Sequence, residues 1–420
     1  MTDTLRYVPN LTADAADATL MSPGASRNTR LPAPTPVQPP AQAQRSTVLP
    51  RVQWNGDHPD VVPFQRERFE ELRPLGQGGM GEVVLLKDHD IERMVALKRL
   101  PEGSGLDRLL RFVEEIRTVG QLDHPNIVPV HDVGIDQRGR YYFVMKHLQG
   151  ETLESIIEKL RGGDHAAHAH YSFPKRVQIF TGVLNALAYA HRKGFIHRDL
   201  KPANIMVGPY GEVTVMDWGL ARRVGQGAEQ AGAEGARDVS QLELRDAAAL
   251  RTQLGAVVGT PLYMSPEQAR GQHDQVDVRS DTYSLSVLFH EFLFLNHYLD
   301  GRQSLTDVLE GVQKDMPALF EMSMNPHQPA VPAEWAWFLD KGFSKEPARR
   351  YQSVDEMVQA LQAVMDGRIQ VRCQRTALKS GLHAMLRRVD QNPLAVIVGS
   401  TLAAVVLLAS LGHLLLVLFS

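Results

Sequence analysis

The stretch His197-Arg-Asp-Leu-Lys-Pro-Ala-Asn204 decides the fold, because its polar side chains have the order and spacing that transfer of a phosphoryl group requires. Asp199 is expected to accept a hydrogen bond from a substrate hydroxyl and to orient that hydroxyl for in-line attack. Asn204, five residues later, is expected to bind Mg²⁺, and Lys201 is expected to stabilise the group in transfer. A chance occurrence of the whole octet is remote, so the stretch predicts a catalytic loop.

A glycine-rich turn lies upstream of this loop, between two apolar segments that are predicted to be strands. Its glycines have no Cβ atoms, so backbone amides can approach a triphosphate closely. A dinucleotide-binding turn has similar glycine spacing, but it requires a helix after the last glycine, and Glu82–Lys87 has a strand pattern. The predicted nucleotide-binding residues of this turn are Gly76, Gln77, Gly78, Gly79, Met80, Gly81, Glu82 and Val83.

Lys98 ends the apolar strand Met94-Val-Ala-Leu and is expected to hold the α- and β-phosphates if a carboxylate restrains its ammonium group. Glu115, on the predicted helix Leu106–Leu122, is the expected partner because it shares a helix face with Arg111, Val119 and Leu122. The neighbouring Glu114 is better suited to a solvated surface position.

Asp217-Trp-Gly219 follows a short predicted strand and supplies the second expected metal ligand, Asp217. Trp218 is expected to pack beneath the helix that bears Glu115. Gly219 gives the backbone conformational freedom at this point. The predicted metal ligands are therefore Asn204 and Asp217.

The long segment after Asp217 is expected to control activation. Between residues 222 and 259 only Ser240 and Thr252 carry hydroxyl groups. Ser240 opens a sequence that resembles a helix capping box, whereas Thr252 has no such structural explanation. Thr252 is therefore the candidate phosphorylation site, with Arg198 as the expected phosphate partner, and the choice between the two hydroxyls stays open.

Further residues are assigned to the substrate-facing floor or to structural support. Thr260 is expected to form hydrogen bonds near Asp199 and Lys201. Glu267 is expected to pair with Arg350 in a buried ion pair that supports the fold rather than the chemistry. Asp281 is expected to brace the backbone of the catalytic loop. The residues in this group are Thr260, Glu267, Asp281 and Arg350.

The hydrophobic pattern predicts an α+β fold, with a small β-rich lobe before a larger helical lobe. Residues 161–170 are expected to form a loop insertion whose three histidines could bind a metal adventitiously. The predicted strands are Phe69–Gly76, Glu82–Lys87, Met94–Leu100, Val128–Val133 and Tyr141–Met145. The predicted helices are Leu106–Leu122, Val177–Arg192 and Asp281–Leu295.

The motifs resemble those of the Hanks-type (eukaryotic-like) serine/threonine protein kinases, especially the bacterial membrane-anchored group. The resemblance covers residues 69–365 and rests on Gly78-Gly-Met-Gly81, His124-Pro-Asn-Ile-Val128 and the stretch from Gly259 to Gly271. Asp199 and Lys201, two residues apart and followed by proline, match serine/threonine rather than tyrosine kinases. The resemblance implies a bilobal protein-kinase fold that uses ATP and Mg²⁺, or alternatively Mn²⁺, to phosphorylate protein substrates.

The resemblance also implies that Met145 is the gatekeeper, that the hinge includes His147, and that Ala96 lines the nucleotide site. It implies activation by autophosphorylation, which two copies could perform on each other as a homodimer. Departures from the family pattern concern regulation rather than activity, and they are Trp218 for Phe, Ser265 for Ala and Ser286 for Gly. The alternative is a nucleotide-binding pseudokinase scaffold anchored to the membrane, but every expected catalytic group is present.

Composition excludes some other classes. The net charge of −3 gives no indication of nucleic-acid binding. The single cysteine, Cys373, excludes an intrachain disulfide. Residues 1–55 are rich in proline and alanine and are expected to be disordered, residues 69–365 to form the kinase domain, and residues 366–392 to form a basic linker.

Residues 393–419 contain no Asp, Glu, Lys or Arg and are predicted to form a transmembrane helix, which needs about 20 apolar residues. Six basic residues between positions 368 and 388 precede this segment. Positive charge favours the cytoplasmic side, so a single-pass protein of the inner cell membrane with a cytoplasmic kinase domain is expected. A tail anchor without an external sensor domain fits the position of the segment, and a helical oligomerisation element is the alternative.

Overall fold

The computed structural model describes residues 47–62, 66–78, 81–223, 260–272, 274–302, 304–319 and 325–368, together with residues 381–382, 385–386, 389, 397–398 and 400–410. Ser240 and Thr252 therefore lie outside the described residues, as do Gly79 and Met80 of the glycine-rich turn.

The small lobe is built around an antiparallel sheet of five strands, as the hydrophobic pattern predicted. In the part of the chain that the structure describes, the strands are β1 Arg51–Asn55, β2 His58–Val62, β3 Phe69–Gly78, β4 Gly81–Asp88, β5 Arg93–Arg99, β6 Val130–Ile135, β7 Tyr141–Lys146, β8 Glu151–Thr152, β9 Phe195–Ile196, β10 Ile205–Val207, β11 Val213–Val215 and β12 Arg222–Arg223. The order in the sheet is β3-β4-β5-β7-β6.

The two faces of this sheet differ because side chains alternate along each strand. Val84, Leu86, Val95 and Leu97 belong to one buried cluster, which fills one face. On the other face, Phe143 packs against Phe112 with ring centroids 5.4 Å apart. Phe112 belongs to the helix between β5 and β6, so this helix covers the face that carries Lys98.

The larger lobe is helical and contains most of the core. Phe180 and Phe289 stack at its centre with ring centroids 4.0 Å apart, and both are almost completely buried. Burying a side chain of this size contributes about 1.5–3 kcal/mol. Among the residues described between 47 and 368, the α-helices are α1 Leu106–Val119, α2 Leu153–Arg161, α3 His165–His170, α4 Phe173–Arg192, α5 Pro266–Ala269, α6 Val278–Phe294, α7 Leu305–Lys314, α8 Ala333–Gly342 and α9 Val354–Met365.

Helix α6 lies inside the larger lobe, since its residues 280–294 are all buried. Ser286, which was noted as a departure from the usual glycine, donates a hydrogen bond of 2.8 Å to the Thr282 carbonyl oxygen. A Cβ atom at Gly342 would lie 1.9 Å from Ser286 Oγ, so α8 can approach α6 at this point only because residue 342 is glycine.

Short strands position the loops of the larger lobe. Strand β10 pairs with both β8 and β11, so the segments that follow the catalytic loop and precede Asp217 are adjacent. Strand β12 pairs with β9, with Arg222 opposite Ile196. The chain on both sides of the predicted catalytic loop is therefore fixed by backbone hydrogen bonds.

Strands β1 and β2 form a β-hairpin. Disorder was predicted for residues 1–55, and this boundary was wrong because residues 51–55 form a strand. The two-residue turn of the hairpin begins with Gly56, whose φ of +67° favours glycine. The hairpin was missed because its residues are all exposed and give no burial pattern. The sequence Asn55-Gly56 is the signal that could have revealed it.

The predicted loop at residues 161–170 was also wrong in part, because α3 occupies its second half. The Asp164 side chain caps α3 by accepting a hydrogen bond of 2.9 Å from the Ala167 backbone amide. His168 Nε2 lies 2.8 Å from the Leu160 carbonyl oxygen, a contact within the fold. The described residues contain no group of three or more His, Cys, Asp or Glu side chains that could hold a metal ion.

Near the C-terminus, residues 400–410 are helical and exposed. Among the residues described, no helix combines the length and the apolar character needed to cross a membrane. The rest of the predicted span, including residues 411–419, lies outside them.

Candidate active site

One wall of the candidate site is the face of the small-lobe sheet that carries Lys98. Val83 lies opposite Lys98 in the pairing of β4 with β5, and Met145 lies opposite Ala96 in the pairing of β5 with β7. Residues directly opposite in an antiparallel pair share a face, and so do alternate residues of one strand. Four residues predicted to bind the nucleotide therefore share one surface, namely Val83, Ala96, Lys98 and Met145.

The predicted ion pair between Lys98 and Glu115 is present, with Lys98 Nζ 2.6 Å from Glu115 Oε1. Lys98 Nζ also lies 3.6 Å from Asp217 Oδ1. Burial alone would lower the pKa of Lys98, but the charges of Glu115 and Asp217 outweigh it and raise this pKa. The lysine is therefore held as a cation, and the exposed Glu114 takes no part in the pair.

Helix α1 and Asp217 are linked through the loop that follows the helix. Asn126 Nδ2 donates a hydrogen bond of 2.7 Å to the Val213 carbonyl oxygen, and the Val215 amide donates one of 2.8 Å to the Asn126 carbonyl oxygen. Strand β11 ends just before Asp217, so these bonds set the positions of Glu115 and Asp217 relative to each other. The role of this asparagine was not predicted from the sequence.

The glycine-rich turn joins β3 to β4. Gly81 has a φ of +152°, and a Cβ atom there would lie 2.6 Å from the Arg99 carbonyl oxygen. Gly81 is thus required by its contact with β5 as well as by the expected room for phosphates. Gly76 and Gln77 are exposed, and His147, after β7, is partly buried. Burial, and then the charge of Arg73, lowers the pKa of His147.

The catalytic loop brings Asp199, Lys201 and Asn204 together. Lys201 Nζ donates to Asp199 Oδ2 at 2.8 Å, and Asn204 Nδ2 donates to the Asp199 carbonyl oxygen at 2.9 Å. Burial raises the pKa of Asp199, although Lys201 acts in the opposite direction. A hydrogen-bonded carboxylate with a raised pKa is suited to orienting a hydroxyl and receiving its proton.

Asn204 and Asp217 fit the requirements of a magnesium site. Mg²⁺ prefers oxygen ligands and is usually held by one or two protein groups together with substrate phosphates. Asp217 Oδ1 is buried and accepts no hydrogen bond from the described residues, although Lys98 lies nearby. Buried acceptors normally have a partner, so this oxygen is consistent with a cation ligand. The Asn204 amide nitrogen is engaged by Asp199, which leaves its oxygen as the group for a cation.

Asp281 braces the catalytic loop, as predicted. Its Oδ2 accepts hydrogen bonds from the His197 amide at 2.9 Å and from His191 Nε2 at 2.7 Å, and its Oδ1 accepts from the Arg198 amide at 3.0 Å. Burial alone would raise the pKa of Asp281, but these partners lower it below its ordinary value. The carboxylate therefore remains ionised inside the fold.

The predicted pair between Glu267 and Arg350 is a buried, bidentate ion pair with both N–O distances at 2.8 Å. Ser280 Oγ donates a further hydrogen bond of 2.6 Å to Glu267 Oε1. Burial alone would raise the pKa of Glu267, whereas Arg350 and Ser280 lower it overall. The side chain of Thr260, which was predicted to bond near Asp199, lies outside what the structure describes.

Trp218 is almost completely buried and packs against His197, with ring centroids 4.6 Å apart. Trp218 and Val119, the last residue of α1, belong to the same large hydrophobic cluster. The expected packing of Trp218 beneath α1 stays a prediction. The indole Nε1 of Trp218 has no hydrogen-bond partner among the residues described.

Arg99 is a residue of the site that sequence reasoning missed. Its Nε donates a hydrogen bond of 2.9 Å to Glu82, and its Nη1 donates one of 2.5 Å to Glu71. The bond from Arg99 lowers the pKa of Glu82 below its ordinary value. Because Glu82 directly follows the turn, this arginine holds both strands of the glycine-rich hairpin. Its position next to Lys98 was the available signal.

Replacement of Arg99 by glutamine is expected to raise the KM for ATP about three- to fivefold with a smaller change in kcat, since two partly exposed ion pairs are lost. Steady-state kinetics with varied ATP concentration measures both constants. Arg93→Gln, an exposed change at the other end of the same strand, is the control. Equal KM values for both variants would show that the arginine does not position the turn.

A comparison with protein families identifies the class of protein that this fold and site define. The model of the protein kinase domain matches residues 69–363, which contain every candidate site residue named above. The chain therefore belongs to the protein kinase family, and the resemblance noted in its motifs is confirmed.

Three curated relatives are bacterial proteins that carry serine/threonine-protein kinase names. Serine/threonine-protein kinase PknD of Protochlamydia amoebophila is 33% identical over 74% of this chain and 31% of its own length. A probable serine/threonine-protein kinase of Streptomyces coelicolor is 35% identical, over 71% of this chain and 40% of its own. Probable serine/threonine-protein kinase PknB of Bifidobacterium longum is 34% identical, over 72% and 40%. The chain thus aligns with less than half the length of these relatives.

Proposed function

We propose that the chain is a serine/threonine protein kinase that transfers the γ-phosphoryl group of ATP to hydroxyl groups of protein substrates. The observation that carries the proposal is the convergence of Lys98 with both Glu115 and Asp217, beside a catalytic loop in which Lys201 contacts Asp199. The serine/threonine kinase names of the relatives support the choice of hydroxyl acceptor.

In this proposal each residue has one task. Lys98, held by Glu115, binds the α- and β-phosphates. Asp199 orients the substrate hydroxyl and receives its proton, while Lys201 stabilises the charge on the group in transfer. Asn204 and Asp217 hold Mg²⁺, which neutralises phosphate oxygens when it is bound. All these groups are present in the chain, which favours catalysis over a pseudokinase scaffold that only binds nucleotide.

Incubation of the purified chain with labelled ATP and Mg²⁺ tests the proposal. The wild-type chain is expected to incorporate phosphate into itself or into a generic protein acceptor, on serine or threonine. Asp199→Asn keeps the size of the side chain but removes the carboxylate, and it is expected to abolish incorporation. If both proteins incorporate equal, background amounts of label, the enzyme proposal fails and the pseudokinase scaffold takes its place.

We also propose that phosphorylation of Thr252 activates the kinase, in trans between two copies. After incubation with ATP, Thr252→Ala is expected to be about tenfold less active than wild type. The variant cannot carry a phosphate at residue 252, so the proposed pairing of that phosphate with Arg198, which would order the segment after Asp217, is lost. Activity and phosphopeptide maps measure the effect, and Ser240→Ala is the matched control. An unchanged map and rate for Thr252→Ala would remove this part of the proposal.

Membrane attachment through residues 393–419 is a separate proposal, with the kinase domain on the cytoplasmic face of the inner cell membrane. It is supported by the uncharged character of the segment and by the basic residues that precede it. Extraction of membranes with alkaline carbonate is expected to leave the chain in the pellet. Release into the supernatant would favour the alternative, a helical oligomerisation element.

A further inference from the structure

The side chain of Gln268 connects helix α5 to the catalytic loop. It lies in α5, and its Nε2 donates a hydrogen bond of 2.9 Å to the backbone carbonyl oxygen of Arg198, a residue 70 positions away in the sequence. We propose that Gln268 is a positioning residue that fixes the peptide unit carrying Asp199, an inference that rests on the proposed kinase function.

The backbone at Arg198 needs such support. Its φ of +69° lies in the left-handed region, which is unfavourable for residues other than glycine and persists only where the surroundings hold it. The Arg198 amide donates to Asp281 on α6, and its carbonyl accepts from Gln268 on α5. The two backbone polar groups of one strained residue are thus held by side chains from two helices.

This carbonyl belongs to the same planar peptide unit as the amide of Asp199. Rotation of that unit would therefore change the direction in which the Asp199 side chain leaves the backbone. The hydrogen bond from Gln268 opposes this rotation, and it acts on the proposed catalytic carboxylate without touching substrate.

Ser265 fixes the orientation of the Gln268 amide. Its backbone amide and its Oγ both donate to Gln268 Oε1, each at 3.0 Å, so the other end of the amide, Nε2, faces Arg198. Ser265 is fully buried, and an alanine there would remove one of the two donors. Ser265, where the family usually has alanine, thus helps to orient the Gln268 amide toward Arg198.

The hydrogen bond from Gln268 to Arg198 is not needed to hold α5 to the core. The neighbouring Glu267 already ties α5 to the core through two bonds to Arg350. The bond from Gln268 is directed instead at the catalytic loop, so its loss is expected to affect the reaction more than the stability of the fold.

The test compares Gln268→Glu with Gln275→Glu in the full chain Met1–Ser420. The first variant replaces the donor to Arg198 by an acceptor of the same size, and the second introduces the same charge at an exposed position seven residues later. Gln268→Glu is expected to lower kcat about tenfold with KM for ATP unchanged, as for loss of one partly buried hydrogen bond. Ser265→Ala is expected to cause a smaller loss of kcat of the same kind.

Hydrogen exchange provides a readout that does not require activity. The peptide that contains residues 197–201 is expected to exchange faster in Gln268→Glu than in wild type or in Gln275→Glu. Wild-type kcat and wild-type exchange in Gln268→Glu would overturn the inference. If Gln268→Glu does not fold, Ser265→Ala decides by the same two measurements. An inactive wild-type chain with faster exchange in Gln268→Glu would refute the proposed function but leave the positioning contact in place.

Discussion

Glu115→Gln is expected to lower kcat/KM by about two to three powers of ten. Removing one partner of a buried ion pair costs about 3–5 kcal/mol, because the other charge is left without compensation. Here the remaining charge is Lys98, and Asp217 lies 3.6 Å from its ammonium group. Lys98 would then pair with Asp217, which takes the lysine from the phosphates and a ligand from the metal. Steady-state kinetics with ATP and a protein acceptor measures the loss.

The neighbouring Glu114 provides the matched control for this prediction. It lies on the same helix and is exposed, whereas Glu115 is 4% exposed. Glu114→Gln removes the same charge from α1 and is expected to change kcat/KM less than about twofold. Comparable losses in the two variants would mean that the charge of the helix, and not the pair with Lys98, affects the rate. Circular dichroism establishes that both variants are folded.

Arg350→Met is expected to lower the free energy of unfolding by about 3–5 kcal/mol, which is the cost of leaving a buried charge without its partner. The Arg350 side chain is fully buried and donates to Glu267 and to the carbonyl oxygens of Ser344, Arg279 and Lys345. All these acceptors would lose a donor at once. Unfolding in urea measures the difference.

Arg349→Met is the control, since this exposed arginine pairs across the surface with Glu346 and its loss is expected to change stability by less than about 1 kcal/mol. The double variant Glu267→Gln with Arg350→Met is expected to recover part of the loss, because no uncompensated charge remains. Equal stabilities for Arg350→Met and Arg349→Met would refute the assignment of a structural role to the buried pair.

The ion pair between Glu267 and Arg350 also predicts that the free energy of unfolding depends on pH. The folded state holds the pKa of Glu267 below its ordinary value, so the stabilisation is complete above that ordinary value. It is lost as the pH falls through the depressed pKa of the folded state. Acid unfolding of Arg350→Met should lack this contribution.

Local sequence signals predicted the parts of the site that lie on regular elements. The apolar strand before Lys98 and the helical spacing around Glu115 were enough to predict a pair that the structure places 2.6 Å apart. Both signals depend on periodicity within one element. The family motifs then supplied the partners of Asp281 and Glu267.

Contacts between distant segments were beyond such reasoning. No local pattern around Gln268 indicates that its side chain meets Arg198, because that contact depends on how two segments of the larger lobe, 70 positions apart in the sequence, pack together. The bonds from Arg99 to Glu71 and Glu82 likewise depend on the register of three strands, β3, β4 and β5. The hairpin from Arg51 to Val62 was missed because an exposed pair of strands has no apolar periodicity to detect.

The indole ring of Trp218 has a practical consequence. It is buried against His197 and sits one residue from Asp217, so this chain carries a fluorophore at the metal-ligand segment where a phenyl ring is usual in the family. Trp54, in contrast, is 72% exposed. The chain also contains Trp335 and Trp337. After Trp54, Trp335 and Trp337 are replaced by phenylalanine, the emission of Trp218 is expected to report nucleotide binding at this segment without an attached dye.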